Sequence, residues 1–232
     1  MKDIVNLNWN MISGSLNEKG YARIPDMLST KECIDLSDLY KDSRLYRSTI
    51  DMKRYRFGQG EYKYFSYPLP GIIQSLREYF YPPLSKIANE WMQKLDTKLT
   101  FPENLQDLLK QCRDKSQHRP TPLILRYEAS GFNTLHQDLY GEIYFPFQIV
   151  FLLSQPGGNH EGGEFVLTEQ TPRAQSKVEV VHLNQGDAVI FTTNFRPVHG
   201  SRGHYRAKMK HGVSEVKAGV RYSLGIIFHD AA

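Results

Sequence analysis

Two cysteines, Cys33 and Cys112, are all that the 232-residue sequence holds. That is too few for a disulfide scaffold, and their helical contexts suit small buried apolar positions. No stretch approaches the ~18 consecutive apolar residues of a membrane-spanning helix. The N-terminal run MKDIVNLNWNMISGSLNEKG also has no unbroken apolar core of signal-peptide length. A cytoplasmic protein with no membrane contact is the expectation. Internal repeats and low-complexity tracts are absent, which excludes solenoids and disordered tails. Neither sign of charge dominates: 29 Lys+Arg against 25 Asp+Glu leave +4, compatible with a polyanionic partner but too small to name one. What is present is ordinary for a folded domain, 40% apolar and 23% charged residues, in a chain long enough to bury its own core. The aromatics stand out, with 14 tyrosines among them, because tyrosine commonly lines binding surfaces.

The first half reads mainly as helix. After a short strand at 20–25, Ser29-Thr30-Lys31-Glu32 forms a capping box ahead of Cys33, Leu36 and Tyr40. A second helical region begins near Gly71, and Pro82-Pro83 is expected to interrupt it by removing backbone donors. Beyond that break Leu84, Ile87, Ala88, Trp91 and Leu95 recur at helical spacing. Pro102 precedes another apolar helical face, and the proline-bearing stretch 114–122 reads as a connector. The period then changes. Segments 123–127, 147–154, 164–168, 178–183, 188–192 and 220–228 are short, rich in β-branched and aromatic residues, and separated by turn formers. Helices followed by six or more short strands argue for an α+β fold: N-terminal supporting helices over 1–120, then a jelly roll (double-stranded β-helix) over 121–232, integrated into one domain.

Within the strand-rich half, His136-Gln137-Asp138 places an imidazole and a carboxylate at i and i+2. On extended chain those side chains share a face and can converge on one point. One further histidine would complete the two-histidine, one-carboxylate set that leaves open positions on Fe(II). Around this pair the chain carries, in order, Tyr127 to Gly131, the apolar strand after Phe147, Glu161-Gly162-Gly163-Glu164, Gly186-Asp187 opening another strand, Pro197-Val198-His199-Gly200, and Arg221-Tyr222-Ser223.

That order resembles the catalytic half of the 2-oxoglutarate- and Fe(II)-dependent oxygenases, over roughly Leu123 to Phe228. The resemblance implies that His136, Asp138 and His199 ligate Fe(II). It implies that Arg221 pairs with the distal carboxylate of 2-oxoglutarate through two parallel charge-assisted hydrogen bonds. Ser223, two positions on, matches the hydroxyl beside that arginine, and Tyr127 matches a co-substrate contact of prolyl-hydroxylase-like members. His199 is preferred because it follows a Gly-Asp strand start and precedes the Arg-x-Ser strand. His182 reads as a core residue, His204 and His211 as solvated in a charged segment, and His229 as lying beyond the last strand. The implied reaction consumes 2-oxoglutarate and dioxygen, releases succinate and carbon dioxide, hydroxylates a C–H bond, and is stimulated by ascorbate.

For the substrate, two segments interleave cations with aromatic rings: Lys53 to Tyr67 and Arg202 to His211. Cations beside stackable rings suit phosphates and an unstacked base. The whole-chain pattern resembles a bacterial family grouped loosely with oxidative dealkylation of damaged DNA, which implies DNA repair. Ile227 stands where alkylation-repair enzymes of the AlkB type carry a second arginine, and Tyr127 with Gly131 leans toward a prolyl-hydroxylase-like protein hydroxylase. A small-molecule hydroxylase and a non-enzymatic jelly-roll binding module are the remaining alternatives.

Overall fold

The computed structural model describes residues 6–232. Residues 1–5, where the expected helical support region begins, lie outside the described residues. The chain opens with α1 (Trp9–Lys19), β1 (Tyr21–Ile24) and α2 (Thr30–Leu39), then β2 (Tyr46–Asp51), β3 (Gly58–Gln59), β4 (Glu61–Phe65), α3 (Gly71–Lys94) and α4 (Leu105–Asp114). Eleven strands follow. They are β5 (Leu123–Tyr127), β6 (Phe132–His136), β7 (Phe147–Leu152), β8 (His160–Gly162), β9 (Phe165–Gln170), β10 (Lys177–Val181), β11 (Ala188–Thr192), β12 (Phe195–Gly200), β13 (Gly203–Val213), β14 (Val216–Gly219) and β15 (Arg221–Ile227).

A seven-stranded sheet runs β1-β11-β7-β15-β5-β4-β2, and a six-stranded partner has the path β10-β9-β13-β6-β3 with β12 on β13. Every strand pairing within the two sheets is antiparallel. Helices cover one face of the larger sheet, as the jelly-roll expectation requires. On β7 the alternation is direct: Phe147, Ile149 and Phe151 pack with the helices, while Gln148 and Val150 turn inward to the cavity. On β15, Leu224 and Ile226 join the helical side and Arg221, Ser223 and Gly225 line the interior.

Two expectations need correction. Pro82 and Pro83 do not interrupt the helix; α3 runs through both. The carbonyls they leave without amide donors belong to Glu78 and Tyr79, which are exposed, so water can satisfy them. Buried Phe80, Tyr81, Leu84 and Trp91 on either side of the prolines keep the helix packed across the site. The first half is also less helical than its pattern suggests, since β2 and β4 extend the large sheet beyond β5. β4 alternates charge with tyrosine and β2 is mostly polar, so neither shows a clean polar–aliphatic alternation, and their stability comes from pairing. The capping box is present, with Ser29 and Glu32 bonding each other's backbone amides, and Cys33 and Cys112 are buried free thiols in α2 and α4.

The C-terminus is tied down by buried polar groups. Arg77 of α3 pairs with Asp230 at 2.7 Å, both almost inaccessible. His229 accepts the Phe145 amide on Nδ1 at 3.0 Å, so its ring is neutral, and burial beside Arg77 pushes its pKa down to about 3. An unfolded histidine titrates near ~6.5. The unfolded state therefore takes up the proton first, and stability contributed by His229 should be lost progressively as pH falls from about 6.5 toward 3. Urea midpoints at pH 7 and pH 5 test this: the drop should be smaller in His229→Gln than in the native protein. An equal drop would show that His229 does not carry it.

Candidate functional site

A cavity of about 210 Å³ opens between the two sheets. Its wall is built by register. β15 lies antiparallel to β5 with Arg221 opposite Tyr127, Ser223 opposite Leu125 and Gly225 opposite Leu123, and all six side-chain positions line the cavity. Gly163 leaves room for the arginine. A Cβ on it would sit 2.7 Å from the Arg221 Cδ, at a φ of +70° that L-residues rarely adopt. The Glu161–Glu164 segment runs from the end of β8 into its short connection to β9, and its Gly163 seats Arg221, a role its sequence alone did not reveal.

On the opposite wall β6 ends at His136, and the chain leaves it so that Asp138 follows. The backbone amide of Asp138 donates to Thr193 Oγ1 at 2.9 Å, and the Gln137 side chain donates to the carbonyls of Asn194 and Met209, each at 2.8 Å. These bonds stitch the His-x-Asp segment to β13. There His211, paired in register with His136, brings its ring to 4.2 Å from the His136 ring. His136 Nε2 lies 3.4 Å from Asp138 Oδ1 and His211 Nε2 lies 3.3 Å from Oδ2. One donor atom from each of the three residues falls within 4.8 Å of the others. The arrangement fits one metal ion held by two imidazoles and a carboxylate. His136 Nδ1 lies 2.7 Å from the Thr134 carbonyl, which fixes the tautomer that leaves Nε2 free for a metal.

Electrostatics support an anionic carboxylate between two imidazoles: despite burial, hydrogen bonding to Asp138 raises the His136 ring above the ordinary histidine value. Burial would raise the Asp138 carboxyl, yet bonding to His136 and His211 holds it well below the carboxylate range. Burial and the neighbouring His136 push His211 down. Tyr140 donates its hydroxyl to Asp138 Oδ1 at 2.7 Å and so fixes the carboxylate plane.

The structure does not bring His199 to this site. It sits on β12 near the tip of the β12–β13 hairpin, exposed, with its ring 5.3 Å from His204 across the strands. The third member of the cluster is His211, the residue expected to be solvated. Strand β13 alternates Arg206, Lys208 and Lys210 with Ala207, Met209 and His211. The second set faces inward and buried, and the cations face the other way. That alternation, together with the ten-residue spacing to Arg221, was the available signal. His182 and His204 are exposed, and His229 serves the C-terminal anchor. Tyr140 carried no sequence signal.

Deeper in, Arg221 is 1% exposed and makes a single side-chain hydrogen bond, with Ser223 Oγ at 3.1 Å. Its Nε and the Tyr127 hydroxyl are buried without hydrogen-bond partners. No described carboxylate forms an ion pair with it. A buried guanidinium lacking a counter-ion is costly, and the cavity that Arg221 shares with the three-residue cluster has the chemistry to take an anion. Arg221, Ser223 and Tyr127 line the same cavity as His136 and Asp138.

A family model described as an oxygenase, catalysing oxidative methylation of damaged DNA, matches residues 60–231. The chain belongs to this Oxygenase-NA family. Two uncharacterized Mycobacterium tuberculosis proteins, from strains CDC 1551 / Oshkosh and ATCC 25618 / H37Rv, are each 46% identical over 168 residues, 72% of this chain and 72% of their own. Among solved structures, a Burkholderia pseudomallei oxidoreductase of the 2OG-Fe(II) oxygenase family superposes with a TM-score of 0.56 at 16% identity, over 98% of this chain and 94% of that one. A Trichoplax adhaerens prolyl hydroxylase gives 0.55 at 15%, covering 96% and 89%. A Pseudomonas putida prolyl-4-hydroxylase gives 0.51 at 13%, covering 96% and 100%. At such identities the likeness is one of fold: this Oxygenase-NA member has the jelly roll of the 2OG-Fe(II) oxygenases, and it is an oxygenase. None of its described helices is long and apolar enough to cross a membrane.

Proposed function

We propose that this protein is a cytoplasmic Fe(II)- and 2-oxoglutarate-dependent dioxygenase that hydroxylates alkyl groups on damaged nucleic acid. One observation carries the cofactor assignment: the cavity joins a His136–Asp138–His211 donor cluster to a buried Arg221 with no carboxylate partner. In this reading His136, Asp138 and His211 hold the iron. Arg221, with Ser223 and the Tyr127 hydroxyl beside it, takes the far carboxylate of 2-oxoglutarate. When bound, iron, co-substrate and dioxygen supply the oxidising power that inserts oxygen into a C–H bond while 2-oxoglutarate leaves as succinate and carbon dioxide. The chain's own share is to orient the two ligands and exclude water. Tyr140 and Thr134 fix the carboxylate and one imidazole, and the apolar wall of Leu123, Leu125 and Val150 keeps the space dry.

The nucleic-acid assignment draws on the family's description and on the cations of the Lys53–Tyr67 segment, whose Phe57 and Tyr62 line the cavity, with Arg206, Lys208 and Lys210 as an outer cationic face. Hydroxylating an N-methyl group gives a hemiaminal that expels formaldehyde, leaving the bare nitrogen. Succinate release should therefore rise, with equimolar formaldehyde, when Fe(II)-loaded protein meets methylated oligonucleotides under ascorbate. Proline-containing peptides and free amino acids should not stimulate it. Stimulation by peptides alone would move the enzyme to the protein hydroxylases, a reading favoured by the solved prolyl-hydroxylase relatives of this fold.

A further inference from the structure

Resting on that nucleic-acid reading, we infer that the turn at residues 52–57 is a stacking clamp. It grips the base next to the target nucleotide, and only in a single strand. Tyr55 and Phe57 stack on one another with ring centroids 5.5 Å apart and planes 18° apart, yet they are 56% and 46% exposed. Phe57 also lines the cavity that holds His136 and Asp138. Two large rings left in water at a cavity mouth form a contiguous apolar surface, which soluble proteins ordinarily keep for a partner.

The turn is held firmly. Met52 is fully buried against Tyr127 and Val216 and donates its amide to the Gly60 carbonyl at 3.0 Å. Arg56 adopts a left-handed conformation, φ 60°, that turns the chain back so that the Phe57 carbonyl accepts from both the amide and the hydroxyl of Thr134, each at 2.9 Å. Thr134 is also the residue whose carbonyl fixes His136. The stacked pair is therefore indexed to the metal cluster through a single residue.

Charge selects the occupant. Lys53, Arg54 and Arg56 are exposed around the two rings, and none forms an ion pair among the described residues. Flat rings ask for a flat partner and three free cations ask for phosphates, a combination that a nucleotide satisfies and a proline-rich peptide does not. Bases inside a duplex are already stacked on both faces, so free ring faces favour an unstacked strand. The target base enters the cavity past Phe57 while its neighbour continues the two-ring stack.

The test uses full-length protein and a methylated single-stranded oligonucleotide carrying 2-aminopurine beside the lesion. Binding should change the 2-aminopurine emission and be at least about tenfold weaker to the matched duplex. Tyr55→Leu should lose the emission change and weaken binding about tenfold, whereas Tyr55→Trp should restore both. Lys53→Gln, Arg54→Gln and Arg56→Gln should each lower the salt slope by about 0.7, while Lys86→Gln on α3 should not. Unchanged emission and affinity in Tyr55→Leu, with native oligonucleotide-stimulated succinate release, would overturn the clamp and leave the enzyme assignment standing. No binding of any oligonucleotide by the native protein would overturn the nucleic-acid reading itself, and the clamp with it.

Discussion

Replacing His211 with alanine should abolish Fe(II) binding and 2-oxoglutarate turnover, and replacing His199 should leave both nearly intact. The expectation follows from position. His211 Nε2 lies 3.3 Å from Asp138 and its ring 4.2 Å from that of His136, whereas His199 is exposed and faces His204. Loss of a residue that merely orients a metal ligand costs about 10–100-fold in affinity. Removing one of three ligands outright should exceed the upper end of that range. Anaerobic titration with Fe(II) and 2-oxoglutarate, read by the visible charge-transfer band, measures it directly, and uncoupled succinate release gives the second readout. A His211→Ala protein that keeps the band, beside a His199→Ala protein that loses it, would reverse the assignment. Asp138→Ala belongs with His211→Ala, because it deletes the only anionic donor of the cluster.

Arg221→Met should separate binding from stability. With the guanidinium gone, the distal carboxylate of 2-oxoglutarate would enter the pocket unpaired. That costs about 2–5 kcal/mol, equivalent to roughly 30-fold to several-thousand-fold weaker binding. In the absence of co-substrate the same change removes a buried charge partnered, among the described residues, by Ser223 Oγ and the face of the Tyr127 ring but by no carboxylate ion pair, so Tm should stay level or rise. In the native protein, 2-oxoglutarate at 100 times its Kd should add about 2.7 kcal/mol of stability. In Arg221→Met the same concentration should add less than about 1 kcal/mol, falling to nearly none at the upper end of that range. A variant that melts far lower yet keeps its full 2-oxoglutarate shift would make Arg221 a structural residue. Its surroundings argue otherwise, because Gly163 clears its stem and no described carboxylate forms an ion pair with its head.

Those two residues mark the boundary between what was legible in the chain and what was not. The local features were readable because they depend on neighbours a few positions away. His136 and Asp138 lie two positions apart and meet although β6 ends at His136. Arg221 and Ser223 share a face through the two-residue period of β15, and Ser29 with Glu32 caps a helix through a three-residue reciprocity. The jelly-roll class was equally legible in the short strands after residue 122.

The third ligand was not readable in this way. Which histidine meets His136 is set by the register of β13 against β6, which pairs residues some 75 positions apart, and by the hairpin that turns at 201–202. His199 and His211 lie on consecutive strands of one hairpin. His211 faces the metal cluster through its register with His136, while β12 pairs only with β13 and carries His199 to the exposed tip. Tyr140, Gly163 and the uninterrupted α3 belong to the same class. Each is decided by what a distant segment presents: a carboxylate to accept a hydroxyl, an arginine stem needing space, a sheet face that keeps a proline-bearing helix packed. Sequence determines the chemistry available at each position through local periodicity. Only tertiary packing chooses among chemically equal side chains, because that choice rests on contacts whose partners are far apart along the chain.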